Sequence, residues 1–440
     1  DFAQVEVDEQ QVNLTRFPLF FPEKRDFFLE NAGMFSVKNE GGTGRLADLF
    51  FTRRIGLAGG QPVPIIGGAR LTGKVDRHNI AVMNLQTQEA LGNSGQNFFV
   101  GRYSRDIFSR SKVGGIVINK EGIGDSHYNR TFAADTSLAL HRFFTITGFL
   151  AKTESPGVSG NDTAGHVNAI WRSPSYRAYA EFTDIQDNFN AEVGFVPRVG
   201  IHRTKVHMEW DPRPGRWNIR QMDPMWNIEY TTDQHNRLLT RRLHHMMGFY
   251  FEDGSNLTVM YNDYFERLDV PFEIADGVII PAGVYRFGQP RLRYSTNQSQ
   301  RLYGGLNYTP QTFFAGTRDD YSGTVGLRVN NRIATEAAFS RSNVDVPGGA
   351  FTADLASLRV DYALSPEMTL RTLTQFNSTT DSVTTSVRFN WIYFPGSDLY
   401  IAYDELRAEL PGVPWLQNRP RAPWLQNRQL AIKMTYLLSR

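Results

Sequence analysis

Side chains that alternate polar and apolar with a period of two constrain this chain more than any other feature. The alternation runs from about residue 45 to the end of the 440 residues. Near the C-terminus, Leu430, Ile432, Met434, Tyr436 and Leu438 fall on one face, and Lys433 and Thr435 fall on the other. Such a stretch is a β-strand with one apolar and one polar side. Strands of this kind repeated along most of a chain predict an all-β fold, with a closed transmembrane barrel as the leading architecture.

Composition narrows the classes. A formal net charge of +2 gives no basic excess for nucleic-acid binding. The absence of cysteine excludes a disulfide scaffold and thiolate metal sites. A mean hydropathy of -0.39, with no long apolar run, excludes a helical membrane protein. A β-barrel is still allowed, because only every second residue must face lipid. The N-terminal residues Asp1-Phe2-Ala3-Gln4 carry no export signal, so the chain is expected to start after processing or after a preceding segment.

Clear strands include Phe144-Ile146-Leu150, Leu257-Val259-Tyr261, Val325-Leu327-Val329, Leu358-Val360-Tyr362 and Val383-Val387-Phe389-Trp391. Short turns are expected near 76–77, 173–175, 253–255, 330–331, 365–366 and 395–396. Longer connections are expected near 89–97, 155–163, 187–195, 268–283, 343–351 and 411–429. The two classes usually alternate, which matches the short periplasmic turns and longer external loops of outer-membrane barrels. With a strand at Leu46–Thr52, the count is about 22, within 18–22. Trp391, Tyr393 and Tyr436 then fall near the periplasmic rim as part of an aromatic girdle. The last long connection contains a duplication, PWLQNR at 414–419 and again at 423–428, as an exposed loop tolerates.

Residues 1–44 break the rhythm with aromatics among closely spaced opposite charges. They form either a periplasmic linker or a small plug held by ion pairs, for which Arg16, Glu23, Lys24, Arg25 and Glu30 are the candidate plug or gate residues. The domain division is therefore an N-terminal segment at 1–44 and a barrel at 45–440.

Several stretches carry a resemblance: 1–35 (DFAQVEVDEQQVNLTRFPLFFPEKRDFFLENAGMF), 49–56 (LFFTRRIG), 64–75 (PIIGGARLTGKV), 189–200 (FNAEVGFVPRVG), 389–405 (FNWIYFPGSDLYIAYDE) and 431–440 (AIKMTYLLSR). The chain resembles bacterial outer-membrane barrel proteins, mostly uncharacterised, whose full-length members carry an N-terminal domain similar to carbohydrate-binding module family 9. The resemblance implies location and architecture, and only the sugar-binding-like domain implies a substrate. That domain is absent from this sequence, and Arg440 stands where a terminal aromatic is typical.

No residue set selects an enzyme. Gly92-Asn93-Ser94-Gly95 and Gly157-Val158-Ser159-Gly160 lie between strands and lack the helix of a phosphate loop. His244 and His245 point to opposite faces of a strand, as do His202 and His207, so neither pair chelates one metal ion alone. His141, His166, Asp184 and Asp233 have no spacing that picks out a catalytic group. No catalytic, cofactor-binding or metal residue is assigned, and no cofactor is expected.

Arginine is the remaining signal. Arg53, Arg54 and Arg70 lie on or near strands, and Glu181, Arg328, Arg359, Asp361 and Arg388 are the candidate lumen lining. They either pair among themselves or form an electrostatic lining that orients anionic or sugar-like solutes. The sequence thus predicts a bacterial outer-membrane channel or transporter for a small solute, a saccharide among the candidates. A plugged barrel serving as membrane anchor or assembly partner is the alternative. A TonB-dependent-type transporter is a third, for which the N-terminal segment is short as a plug. Expected partners are outer-membrane lipid, with lipopolysaccharide included, the barrel-assembly machinery and other surface or periplasmic proteins; nucleic acid is not expected.

Overall fold

The computed structural model describes residues 8–37, 46–58, 61–90, 92, 94–408 and 424–436. It is all-β. Among the described residues, helix is confined to α1 (Asp26–Leu29) and two single 3₁₀ turns at Ala32–Met34 and Thr52–Arg54. A two-stranded pair, β1 (Leu57–Ala58) and β2 (Gln61–Pro62), leads into the main sheet.

The sheet begins with β3 (Ile65–Val75), β4 (His78–Thr87), β5 (Gln96–Ile107), β6 (Ser111–Gly122), β7 (Tyr128–Ala139), β8 (Phe144–Glu154) and β9 (Thr163–Arg172). It continues with β10 (Tyr176–Ile185), β11 (Ile201–Trp210), β12 (Ile219–Asp233), β13 (Leu238–Phe251) and β14 (Asn256–Leu268). A separate hairpin, β15 (Phe272–Ala275) with β16 (Val278–Ile280), interrupts it. The sheet resumes with β17 (Gly283–Ser295), β18 (Leu302–Phe313), β19 (Gly316–Arg328), β20 (Ile333–Val346) and β21 (Gly349–Ala363). It ends with β22 (Met368–Asn377), β23 (Ser382–Phe394), β24 (Ser397–Ala408) and β25 (Trp424–Met434).

These 21 strands follow chain order in one sheet. Each strand pairs antiparallel with the next, so an odd number leaves β3 and β25 pointing the same way. The strand expected at Leu46–Thr52 does not form. That stretch makes one isolated bridge, Asp48 to Phe195, before the 3₁₀ turn. Its apolar side chains are not confined to alternate positions: Ala47 and Leu49 are buried in one cluster, Phe50 packs against another, and Phe51 packs on Phe20 and Phe195. A segment that packs apolar side chains from both of its faces does not match an amphipathic wall.

The two faces of the sheet are opposite in character. On β11, Arg203, Lys205, His207 and Glu209 are buried, while Val206, Met208 and Trp210 between them are exposed. On β12, Asn227 and Thr231 are buried and Trp226, Ile228 and Tyr230 are exposed. The same holds for Leu150 on β8, Leu306 on β18, Val325 on β19 and Ile432 on β25, all more than half exposed. We call the buried face inner.

Connections 88–95, 155–162, 186–200 and 269–282 all lie at one end of the sheet, as expected. The connection expected to be long at 343–351 is a two-residue turn, because β20 and β21 pair out to Val346 and Gly349. The duplicated PWLQNR at 414–419 and the expected contribution of Leu438 lie outside the described residues, as does most of the 411–429 connection.

Candidate functional site

The inner face is occupied by the residues that precede the sheet. Gln10 is bonded to Gln375 on β22 and Thr384 on β23, and Glu9 pairs with Arg359 on β21 at 2.5 Å. Arg16 meets Glu266 on β14 at 2.5 Å, Asp26 meets Lys433 on β25 at 2.6 Å, and Arg70 on β3 holds the carbonyl of Phe27 and the carboxylate of Glu30. Asp48 bridges to the 186–200 connection. One segment thus reaches strands spread widely through the sheet, all on the same face.

Its grip is strongest on β3 to β6. Phe28, Phe35 and Ile55 are buried in one cluster with Met83 and Leu85 of β4, Phe98 and Val100 of β5, and Ile116 and Ile118 of β6. A buried ion pair sits beside this cluster. Arg25, only 4 % exposed, donates to both carboxylate oxygens of Glu23 and to the carbonyls of Ile55 and Thr52, and lies 4.1 Å above the ring of Phe28. Thr52 donates a further bond to Glu23 at 2.6 Å. Burial pushes the Glu23 carboxyl up, but the Arg25 bonds and charge outweigh it and hold the group below the usual carboxylate range.

At the end with the long connections, the segment meets an apolar lid. Leu14 clusters with Leu268, Ile274 and Ile280 of the β15–β16 region, and with Phe313 and Val344. Arg198, in the 186–200 connection, lies over Phe17, and burial together with the facing Arg16 lowers it to about 10.

On β19 to β24 the inner face is open. A cavity of about 700 Å³ lies at the short-turn end, lined by six cationic side chains (Lys24, Arg328, Arg332, Arg359, Arg371 and Arg388) and two carboxylates, Glu9 and Asp361. A smaller cavity of about 270 Å³ shares Glu9, Arg359 and Leu373 with it and is otherwise lined by both polar side chains, such as Ser322, Thr324 and Gln375, and apolar ones, such as Phe339 and Leu355. The Glu9–Arg359 pair therefore stands where the two meet. Register sets two cations side by side: Asp361 faces Arg371 across β21–β22, and Arg371 faces Arg388 across β22–β23. Arg388 is 8 % exposed and makes a two-pronged bond to Asp404 at 2.7 and 2.8 Å, while its Nε has no hydrogen-bond partner among the described residues.

The expected lining residues therefore divide. Arg328, Arg359, Asp361 and Arg388 line one cavity, whereas Glu181 lies on β10, 3.6 Å from Arg203 and opposite Lys205 in register. The expected plug residues Arg16, Glu23, Lys24, Arg25 and Glu30 all make ion pairs, Lys24 with Asp8 at 3.5 Å. Arg371 and Arg332 line the same cavity and were not singled out. Arg371 could have been, since it sits on the polar positions of a period-two strand, whereas nothing in the sequence marks Glu9 as its neighbour. His207 lies inside, bonded to Asn227 and Glu209, and His202 alternates with it along β11. Glu209, Asp211 and Asp223 approach within 4.8 Å of one another, with Arg177 on Glu209 at 3.0 Å.

Among known proteins, one family matches: a domain of unknown function (DUF5916) over residues 1–65. The match covers the segment on the inner face and ends at the first residue of β3. No curated protein matches the chain.

Proposed function

We propose that the chain is an outer-membrane β-barrel protein that admits a small solute to its lumen, with residues 8–37 and 46–56 as an internal gate. One observation carries this reading: polarity is inverted, with charged side chains buried and large apolar ones exposed along the same strands. Exposed apolar surface of that extent is costly in water and stable in hydrocarbon. A single chain-order antiparallel sheet of this length suits the reading, because such a sheet closed on itself would leave no unpaired edge to lipid. Exposed aromatics at the short-turn ends, among them Trp171, Tyr176, Trp210, Trp391 and Tyr436, suit an interfacial girdle. A saccharide remains a candidate solute only through the family resemblance.

The tight seating of Phe28 and Phe35 favours a second reading, a plugged barrel that anchors or assembles other surface proteins. Reconstitution separates the two. Purified protein in planar bilayers is expected to give stepwise currents, and proteoliposomes to admit small solutes. Stable insertion with neither current nor flux would leave the anchor and remove the channel.

A further inference from the structure

The cavity at the short-turn end has a charge pattern that the fold does not need. Like charges directly opposite on neighbouring strands are destabilising. Yet Arg371 and Arg388 face each other in register, with Arg359 on the next strand and Arg328 and Arg332 at the rim. Internal carboxylates neutralise only part of this. Arg388 is paired with Asp404 through one nitrogen, Arg359 with Glu9, and Arg371 reaches Asp361 only at 3.7 Å. Arg328 donates one nitrogen, Nη1, to the carbonyls of Gln298 and Gln300. The Nε–H of Arg388, a buried guanidinium, has no hydrogen-bond partner among the described residues and leaves a donor to spare beside the cavity.

We propose that this cavity binds small solutes carrying two or more oxyanion groups, carboxylate or phosphate. Guanidinium groups match both by paired N–H donors. Neighbouring strands lie about 4.8 Å apart, so arginines on β21, β22 and β23 span roughly 10 Å and engage separated groups on one molecule. A volume of about 700 Å³ suits a ligand of that size. The Glu9–Arg359 pair is the internal competitor: an oxyanion that takes Arg359 releases Glu9 and joins the two cavities. The proposal names the solute class for the channel reading above and rests on it for passage, but not for binding.

The test uses the full chain in detergent and in bilayers. By titration calorimetry, citrate and pyrophosphate are expected to bind and sucrose is not, with citrate against pyrophosphate separating carboxylate from phosphate solutes. Arg371→Glu and Arg332→Glu, at accessible positions, are each expected to weaken binding about tenfold or more, as loss of a charge-assisted bond implies. In a salt gradient the reversal potential of the parent is expected on the anion-selective side and to shift toward cations in both variants. Equal binding of sucrose and citrate, or unchanged binding in both variants, overturns the proposal. Citrate binding that follows the arginines, without any current, supports the site and rejects the channel. Current without anion preference or anion binding keeps the channel and rejects the site.

Discussion

Two sides of the inner face receive the same N-terminal segment in different ways. On β4 to β6 the inward positions beside the segment include Met83, Leu85, Phe98, Val100, Ile116 and Ile118, and Phe28 and Phe35 pack into them. On β19 to β23 they are Ser322, Thr324, Glu336, Ser340, Ser357, Arg359, Arg371 and Arg388, and two cavities remain. The alternation of the strands is identical. What differs is the size and charge of the inward residue, and that alone decides whether the wall seats a plug or leaves a pocket. The segment is therefore anchored by apolar burial on one side and touched by ion pairs on the other, so displacement should begin on the arginine side.

The largest effect is expected from emptying the anchored side. Phe28→Ala and Phe35→Ala each remove a buried ring, at 3 and 4 % exposure, and should each cost about 3–5 kcal/mol of segment docking. Limited proteolysis within residues 8–56 reads the loss, since the wall strands stay paired. Equal protease sensitivity after Gln10→Ala, which removes only the part-buried side-chain bond to Thr384, would break the comparison.

Arg25→Ala should follow closely. It leaves Glu23 buried without its charge partner and removes donors to two carbonyls, a loss of about 3–5 kcal/mol. Acid offers the same lever without a mutation. The Glu23 carboxyl is held below its unfolded value of 4.5, so its contribution is present above that pH and is lost as pH falls through the lower folded value. Neighbouring Asp8, Lys24 and Arg53 carry the surrounding charge. Protease sensitivity of the segment is expected to rise below pH 4.5, and Glu23→Gln should flatten that dependence. A segment that loosens between pH 6 and 8 instead would place control elsewhere.

The wall was legible in the sequence because every strand repeats one local rule, and that rule alone sets which face is buried. Turns at 76–77, 173–175 and 395–396 carry their own chemistry and fell where expected. Leu46–Thr52 misled because a short apolar stretch reads equally as strand or packing segment, and only its contact with Phe195 decides. The site was half legible. Polar-face arginines are visible as polar-face arginines, and four of the five lining candidates do share a cavity. Register, which sets Arg371 against Arg388, and the approach of Glu9 to Arg359, 350 positions away in sequence, are long-range facts that no local pattern contains.

The smallest stability effects are expected inside the cavity, and there the comparison is sharpest. Arg388→Ala breaks a two-pronged bond, but Asp404 is 30 % exposed and water can take over its oxygens, so the loss should be about 1–2 kcal/mol. The corresponding pair on the packed side, Arg102 with Asp135, has side chains only 4 and 8 % exposed and should lose about 3–5 kcal/mol in Arg102→Ala. Arg371→Ala should change stability by no more than about 0.5 kcal/mol, because it gives up a 3.7 Å contact to Asp361 and relieves repulsion from Arg388. Equilibrium unfolding in lipid bilayers ranks the three. If Arg371→Ala destabilises as much as Arg102→Ala, the arginines on this side hold the wall together, and their crowding would have a structural cause. If it is neutral while anion binding falls, the crowding is retained for what enters the cavity.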